Sequence, residues 1–120
     1  MVGQERRRFV RRGFDGAVDV LDETGVRKTR GEAREIGSHG MSLFAENRLG
    51  VGDRVTLRFE LPTTAWCLEL GARVVRSLEG ESAPGVAVEF VDAPEWAVAE
   101  VTRFVSLAQQ VAKKRKAIIL

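Results

Sequence analysis

Five arginines fall within the seven residues Arg6-Arg7-Arg8-Phe9-Val10-Arg11-Arg12, ahead of any convincing secondary-structure pattern. Guanidinium is planar, permanently charged and forked, so such a cluster can grip a phosphate or take the O6/N7 edge of guanine with two hydrogen bonds. It can also stack on a purine face, an interaction worth about 0.5–2 kcal/mol where partly desolvated. Taken alone, the cluster specifies an anion and nothing finer, because most charge runs are solvated surface. A second stretch, Arg34 to Phe44, reads REIGSHGMSLF and carries a Gly-Ser-His-Gly turn between two strand-like segments. Gly37 and Gly40 permit backbone geometries that a Cβ resists and leave room for close approach of a ligand. Taken alone, this stretch is an ordinary hairpin turn.

Catalytic chemistry is poorly served. His39 is the only histidine and Cys67 the only cysteine, which excludes an intramolecular disulfide and any cysteine-cluster metal site. No Gly-rich loop follows a strand and opens a helix, so neither phosphate-binding fingerprint applies. Serines are few, and none has a plausible base near it in sequence. The expectation is a non-enzyme with no cofactor and no metal.

The elements that must position these residues follow from composition and periodicity. The chain has 120 residues, 44% hydrophobic and 30% charged, a composition for one modest folded domain. Nineteen Lys+Arg against seventeen Asp+Glu give a net charge of only +2, so bulk basicity supports no general nucleic-acid affinity. The N-terminus is charged where a secretory signal would be apolar, and no run reaches transmembrane length. A cytoplasmic setting without integral membrane contact is therefore expected.

Period-two patterns dominate the middle of the chain. RVTLRFEL places Val55, Leu57, Phe59 and Leu61 on one face, and GVAVEFV places Val86, Val88 and Phe90 together. Leu68, Leu70, Ala72 and Val74 form the candidate inner face of CLELGARVV; Val18 with Val20, and Met41 with Leu43, complete the set. VRKTRGEAREI is too polar for a buried strand and is expected at an edge or facing solvent. Turn signals separate these segments, giving about six short strands and hence an antiparallel barrel or sandwich. The period then changes. Asp92 as N-cap, Pro94 in the first turn and Glu95 predict a helix start, and Ala97, Val101, Phe104, Val105, Ala108, Val111 and Ala112 recur at helical spacing. The expected layout is a basic arm over residues 1–13 and a barrel over 14–120, ending in a helix over about 93–117.

Five further features have plain readings. His39 is expected as an exposed turn residue, and Trp66 and Trp96 as core or helix–barrel packing. Arg73 and Arg76 are expected to face solvent, and Cys67 to be a small apolar strand residue. Lys113 to Lys116 complement the helix dipole. The apolar Ile118-Ile119-Leu120 tail is left for either a membrane touch or a homodimer contact through the helix.

Together, the arginine cluster and the glycine turn resemble the PilZ domain family. Arg7-Arg8-Phe9-Val10-Arg11 matches that family's RxxxR motif. Twenty-four positions after Arg11, where the family carries (D/N)xSxxG, this chain has Glu35-Ile36-Gly37-Ser38-His39-Gly40. Leu61-Pro62 after an apolar strand, ARVVR (Ala72 to Arg76) and GVAVEF (Gly85 to Phe90) are similar to the family's later strands in order and spacing. The resemblance implies an all-β fold with one helix, a six-stranded antiparallel β-barrel followed by a C-terminal α-helix. It also implies binding of the bacterial second messenger cyclic di-GMP, with Arg7 and Arg11 as the grips and Glu35, Gly37 and Gly40 at the second motif. Arg6, Arg8, Arg12, Ser38 and His39 are further contributors on this reading.

The second motif departs from the family pattern. Glu35 stands where Asp or Asn is expected, Gly37 stands where Ser is expected, and Ser38 comes one position late. Two readings follow. In one, the chain binds cyclic di-GMP, weakened by these changes, and relays the signal to an effector protein. In the other, it is a degenerate domain without nucleotide, acting as a protein-interaction adaptor in motility or surface-polysaccharide regulation. Direct nucleic-acid binding is not expected, since no recognition helix or exposed aromatic platform is evident.

Overall fold

Alternating apolar and polar residues give each strand one buried face, and closing those strands on themselves buries all the faces together. The computed structural model describes residues 11–14, 16–64, 66–78 and 85–119, with side chains described from 12 to 107 within those ranges. The elements are β1 (Arg11–Gly13), β2 (Ala17–Leu21), β3 (Arg27–Gly37), β4 (Gly40–Ala45), β5 (Arg54–Glu60), β6 (Cys67–Leu78), β7 (Gly85–Phe90) and α1 (Glu95–Ile119). All pairings are antiparallel, in the order β3-β2-β5-β6-β7-β4, and β4 pairs back onto β3 to close the ring.

β1 does not add a seventh stave. It lies end to end with β2 on the same edge of β3: Gly13 opposes Glu35, the Phe14 amide donates to the Arg34 carbonyl, and Ala17 opposes Glu32. The result is a six-stranded closed barrel with one C-terminal helix.

The inner faces are those the alternation predicts. Val18, Val20, Met41, Leu43, Val55, Leu57, Phe59, Leu61, Leu68, Leu70, Ala72, Val74, Val86 and Val88 are all buried. Ala97, Val101, Phe104 and Val105 of α1 join the same core, and the helix packs on β3 and β1. Phe14 sits where barrel and helix meet, 5.6 Å from the Phe104 ring edge-to-face and 6.1 Å from the Phe59 ring.

Several expectations are corrected. The polar stretch VRKTRGEAREI is neither an edge nor a wholly solvent-facing strand. It is β3, paired on both sides, with Thr29, Ala33 and Ile36 pointing into the core. Its charged residues occupy the outer face, so closure of the barrel satisfies its backbone without demanding an apolar sequence.

Trp66 is 70% exposed and Trp96 54% exposed rather than packed. Trp66 has the inward parity of Leu68 but precedes the start of β6, beyond the barrel rim. Trp96 lies more than a quarter-turn of helix away from the stripe formed by Ala97, Val101 and Phe104. Cys67 lies in β6 but faces out, at the opposite parity to buried Leu68.

The helix cap also differs from expectation. The Val98 amide donates to the Pro94 carbonyl at 3.1 Å, so the first helical acceptor is Pro94, while Asp92 has a left-handed backbone with φ 52°. The chain therefore turns at Asp92 and caps two residues later.

Candidate functional site

Two β-bulges shape the outer wall of the barrel around the glycine turn. In the β3–β4 pairing the register shifts between Ala33 and Glu35, so Ala33 opposes Leu43 while Glu35 opposes Ser42. In the β6–β7 pairing it shifts between Val74 and Arg76, so Val74 opposes Val88 while Arg76 opposes Ala87. Strict alternation from the buried residues would send Glu35 and Arg76 into the core. Each bulge inserts one residue and returns the next side chain to the outside. Both side chains consequently line one cleft of about 310 Å³, together with His39, Gly40, Ser42, Val75, Ala87 and Glu89.

The strand order places β1 on the flank of this cleft. Across the outer surface the sequence of strands is β1, β3, β4, β7, β6. Neighbouring strands are about 4.8 Å apart, so β3 and β6 stand about 14 Å apart along the sheet. β1 runs beside the second motif itself: Arg11 opposes Gly37, Arg12 opposes Ile36 and Gly13 opposes Glu35. Two segments separated by more than twenty residues thus become hydrogen-bonded neighbours. Arg6, Arg7 and Arg8 lie outside the described residues, as does the side chain of Arg11.

Arg12 has a different occupation. Its Nη1 donates to the Phe104 carbonyl at 2.8 Å, and its guanidinium carbon stands 3.9 Å above the centroid of the Phe104 ring. This arginine fastens β1 to α1.

Within the turn, Ser38 Oγ and His39 Nδ1 share a hydrogen bond of 2.7 Å, and the Phe90 amide donates to the His39 carbonyl at 2.8 Å. His39 is exposed, as the turn predicts. At Gly40 the requirement for glycine is one of space: a Cβ would come within 2.2 Å of the Val88 carbonyl oxygen on β7.

Ser42 and Glu89 line the cleft without any signal in the sequence. Arg76, expected to face solvent, lines the cleft as well, and its Nε is buried with no hydrogen-bond partner among the described residues. One signal was present: a charge at the inward parity of CLELGARVVR can sit there only if the strand bulges. A second hollow of about 500 Å³, between Gly16, Arg30, Glu32, Phe44 and Glu46, contains none of the motif residues.

The perturbed carboxylates lie away from the cleft and serve turns. Bonds from the Thr24 hydroxyl and then the Val26 amide hold the Asp22 carboxyl below its usual range. The Gly50 amide and then Lys28 do the same for Asp53. Among the described residues there is no group of three or more His, Cys, Asp or Glu able to hold a metal ion, and no helix long and apolar enough to cross a membrane.

The family model described as the PilZ domain matches residues 5–107. No curated protein matches the chain. Among solved structures, Escherichia coli YcgR in complex with c-di-GMP superposes with a TM-score of 0.76 at 14% identity, covering 96% of this chain and 51% of that one. The isolated PilZ domain of YcgR, also with c-di-GMP, gives 0.70 at 14% identity, covering 93% of this chain and 98% of that domain. The Bacillus subtilis inhibitor of motility MotI/DgrA gives 0.73 at 17% identity, with 90% of this chain and 53% of that one. The chain therefore spans about half the length of the two longer proteins. With the closed barrel and a family model matching most of its length, the chain belongs to the PilZ domain family.

Proposed function

We propose that this chain is a receptor for cyclic di-GMP that passes its occupancy to a partner protein. The observation that supports the reading is the β1–β3 register, which sets the Arg11 backbone opposite Gly37, next to the hairpin whose Glu35 and Gly40 line the cleft. Arg7 and Arg11 are the proposed grips, with Arg6 and Arg8 as auxiliaries. Glu35, Gly37, Gly40, Ser38 and His39 form the opposing side. The solved YcgR structures, which carry c-di-GMP, lend the ligand's identity.

Transmission has a physical route. β1 is bonded to the second motif on one side and, through Arg12, to α1 on the other. A ligand that draws in Arg11 therefore pulls on a strand whose next residue holds the helix. On this reading the output belongs to a partner that reads the altered surface.

A second reading, an adaptor without nucleotide, is favoured by the departures at Glu35 and Gly37. Each ligand hydrogen bond lost with a buried group left unpaired costs about 1–3 kcal/mol, and about 1.4 kcal/mol is a decade of affinity. Calorimetric titration with cyclic di-GMP, using GTP as the control, separates the two. Saturable low-micromolar binding specific to the cyclic dinucleotide supports the receptor. Silence at high ligand concentration leaves the adaptor.

A further inference from the structure

We propose that Arg76, held in the cleft by the β6 bulge, reads a guanine base and makes the site reject adenine; this rests on the cyclic di-GMP reading above. Among the described residues its buried Nε has no hydrogen-bond partner, and none of the four ion pairs includes it. A buried donor left unsatisfied by the fold is unfavourable, so an acceptor supplied from outside is the natural complement.

The chemistry of the cleft selects the kind of acceptor. Glu35 and Glu89 line the same cleft, and two carboxylates repel a phosphate. They match the donor groups of guanine, while the guanidinium matches its O6/N7 acceptor edge, the pairing arginine makes most often. Adenine would present its exocyclic amine, a donor, where Arg76 also donates. Arg76 thereby offers hydrogen bonds on the far flank of the Glu35–Gly40 hairpin from the arginine segment, where Gly37 brings no hydroxyl. A bulge at this point is what the assignment requires, because without it Arg76 would point into the core.

The test titrates the full chain, Arg76→Met and Arg76→Lys with cyclic di-GMP and cyclic di-AMP, and melts each protein without ligand. Arg76→Met should weaken cyclic di-GMP binding about 10- to 100-fold and leave cyclic di-AMP binding nearly unchanged, erasing the preference. Its melting temperature should stay level or rise, since an unsatisfied buried donor is removed. Arg76→Lys keeps the charge but loses the forked geometry, so its preference should also fall; it decides the matter even where the methionine variant misfolds. Wild-type binding with an unchanged preference in both variants would overturn the role of Arg76 while leaving the receptor reading intact. Wild-type protein silent towards both dinucleotides would overturn the receptor reading itself, and this inference with it.

Discussion

Arg12 and Phe104 are joined twice, by a 2.8 Å hydrogen bond from Nη1 to the Phe104 carbonyl and by the guanidinium 3.9 Å above the Phe104 ring. These contacts fasten the strand that enters the barrel to the helix that leaves it, ninety-two positions later. Phe14, two residues on, meets the same ring edge-to-face. One aromatic side chain is thus the common anchor of both ends of the fold.

That geometry predicts the cost of removing it. A hydrogen bond from a charged donor contributes about 1.5–3 kcal/mol, and the stacking at a half-buried site about 0.5–1 kcal/mol. Arg12→Met keeps the stem and deletes both contacts, so urea denaturation should show a loss of about 2–4 kcal/mol. Stability equal to wild type would mean that β1 and α1 are held by Phe14 alone.

Arg11 should behave oppositely. Its backbone pairs with Gly37 in the β1–β3 ladder, and alanine at position 11 leaves that pairing available. Arg11→Ala is expected to abolish measurable cyclic di-GMP binding with a melting temperature close to wild type. Arg7→Ala should lose binding in the same way. A large fall in melting temperature for either variant would make that arginine structural.

Gly40 tests the wall of the cleft. Its missing Cβ leaves room for the Val88 carbonyl, which would otherwise sit 2.2 Å away. Gly40→Ala should therefore force β4 and β7 apart and destabilise the barrel by about 1–3 kcal/mol, a typical overpacking penalty. Gly50→Ala is the matched control, because its Cβ would meet nothing closer than 3.4 Å. Equal melting temperatures for the two variants would refute the steric account.

The same residues show what a linear sequence reveals. Val55, Leu57 and Phe59 declare their buried face by simple alternation, and Ala97, Val101 and Phe104 declare a helix by theirs. Such periodicity is a local property, so it survives in the sequence. The place of β3 is not legible in the sequence, because closing the barrel satisfies a polar strand from both sides, and closure is not local. Hydrophobicity alone predicts core or helix–barrel packing for Trp66 and Trp96; their exposure depends on where β6 begins and which side of α1 meets the barrel. Glu35 and Gly40 were found by motif, whereas Arg76 and Glu89 enter the cleft only through the pairing of β7 with its two neighbours. A site assembled from four strands is legible in sequence only where one hairpin supplies it.

The departures at the second motif allow a gain-of-function prediction. Glu35 is exposed on the outer face, where the β3 bulge has turned it, and its carboxylate stands one methylene further from the backbone than an aspartate would. That difference exceeds the tolerance of a hydrogen bond fixed to the same ligand atom. Gly37 supplies no hydroxyl at a position directly opposite Arg11. Glu35→Asp combined with Gly37→Ser restores both groups, and each recovered hydrogen bond contributes about 0.5–1.5 kcal/mol. Titration of the double variant with cyclic di-GMP should therefore show binding about 10-fold tighter than wild type. Affinity unchanged in a folded double variant would mean that geometry at these two positions is not what limits the site, and that the cleft between β3 and β6 has been shaped for something other than this ligand.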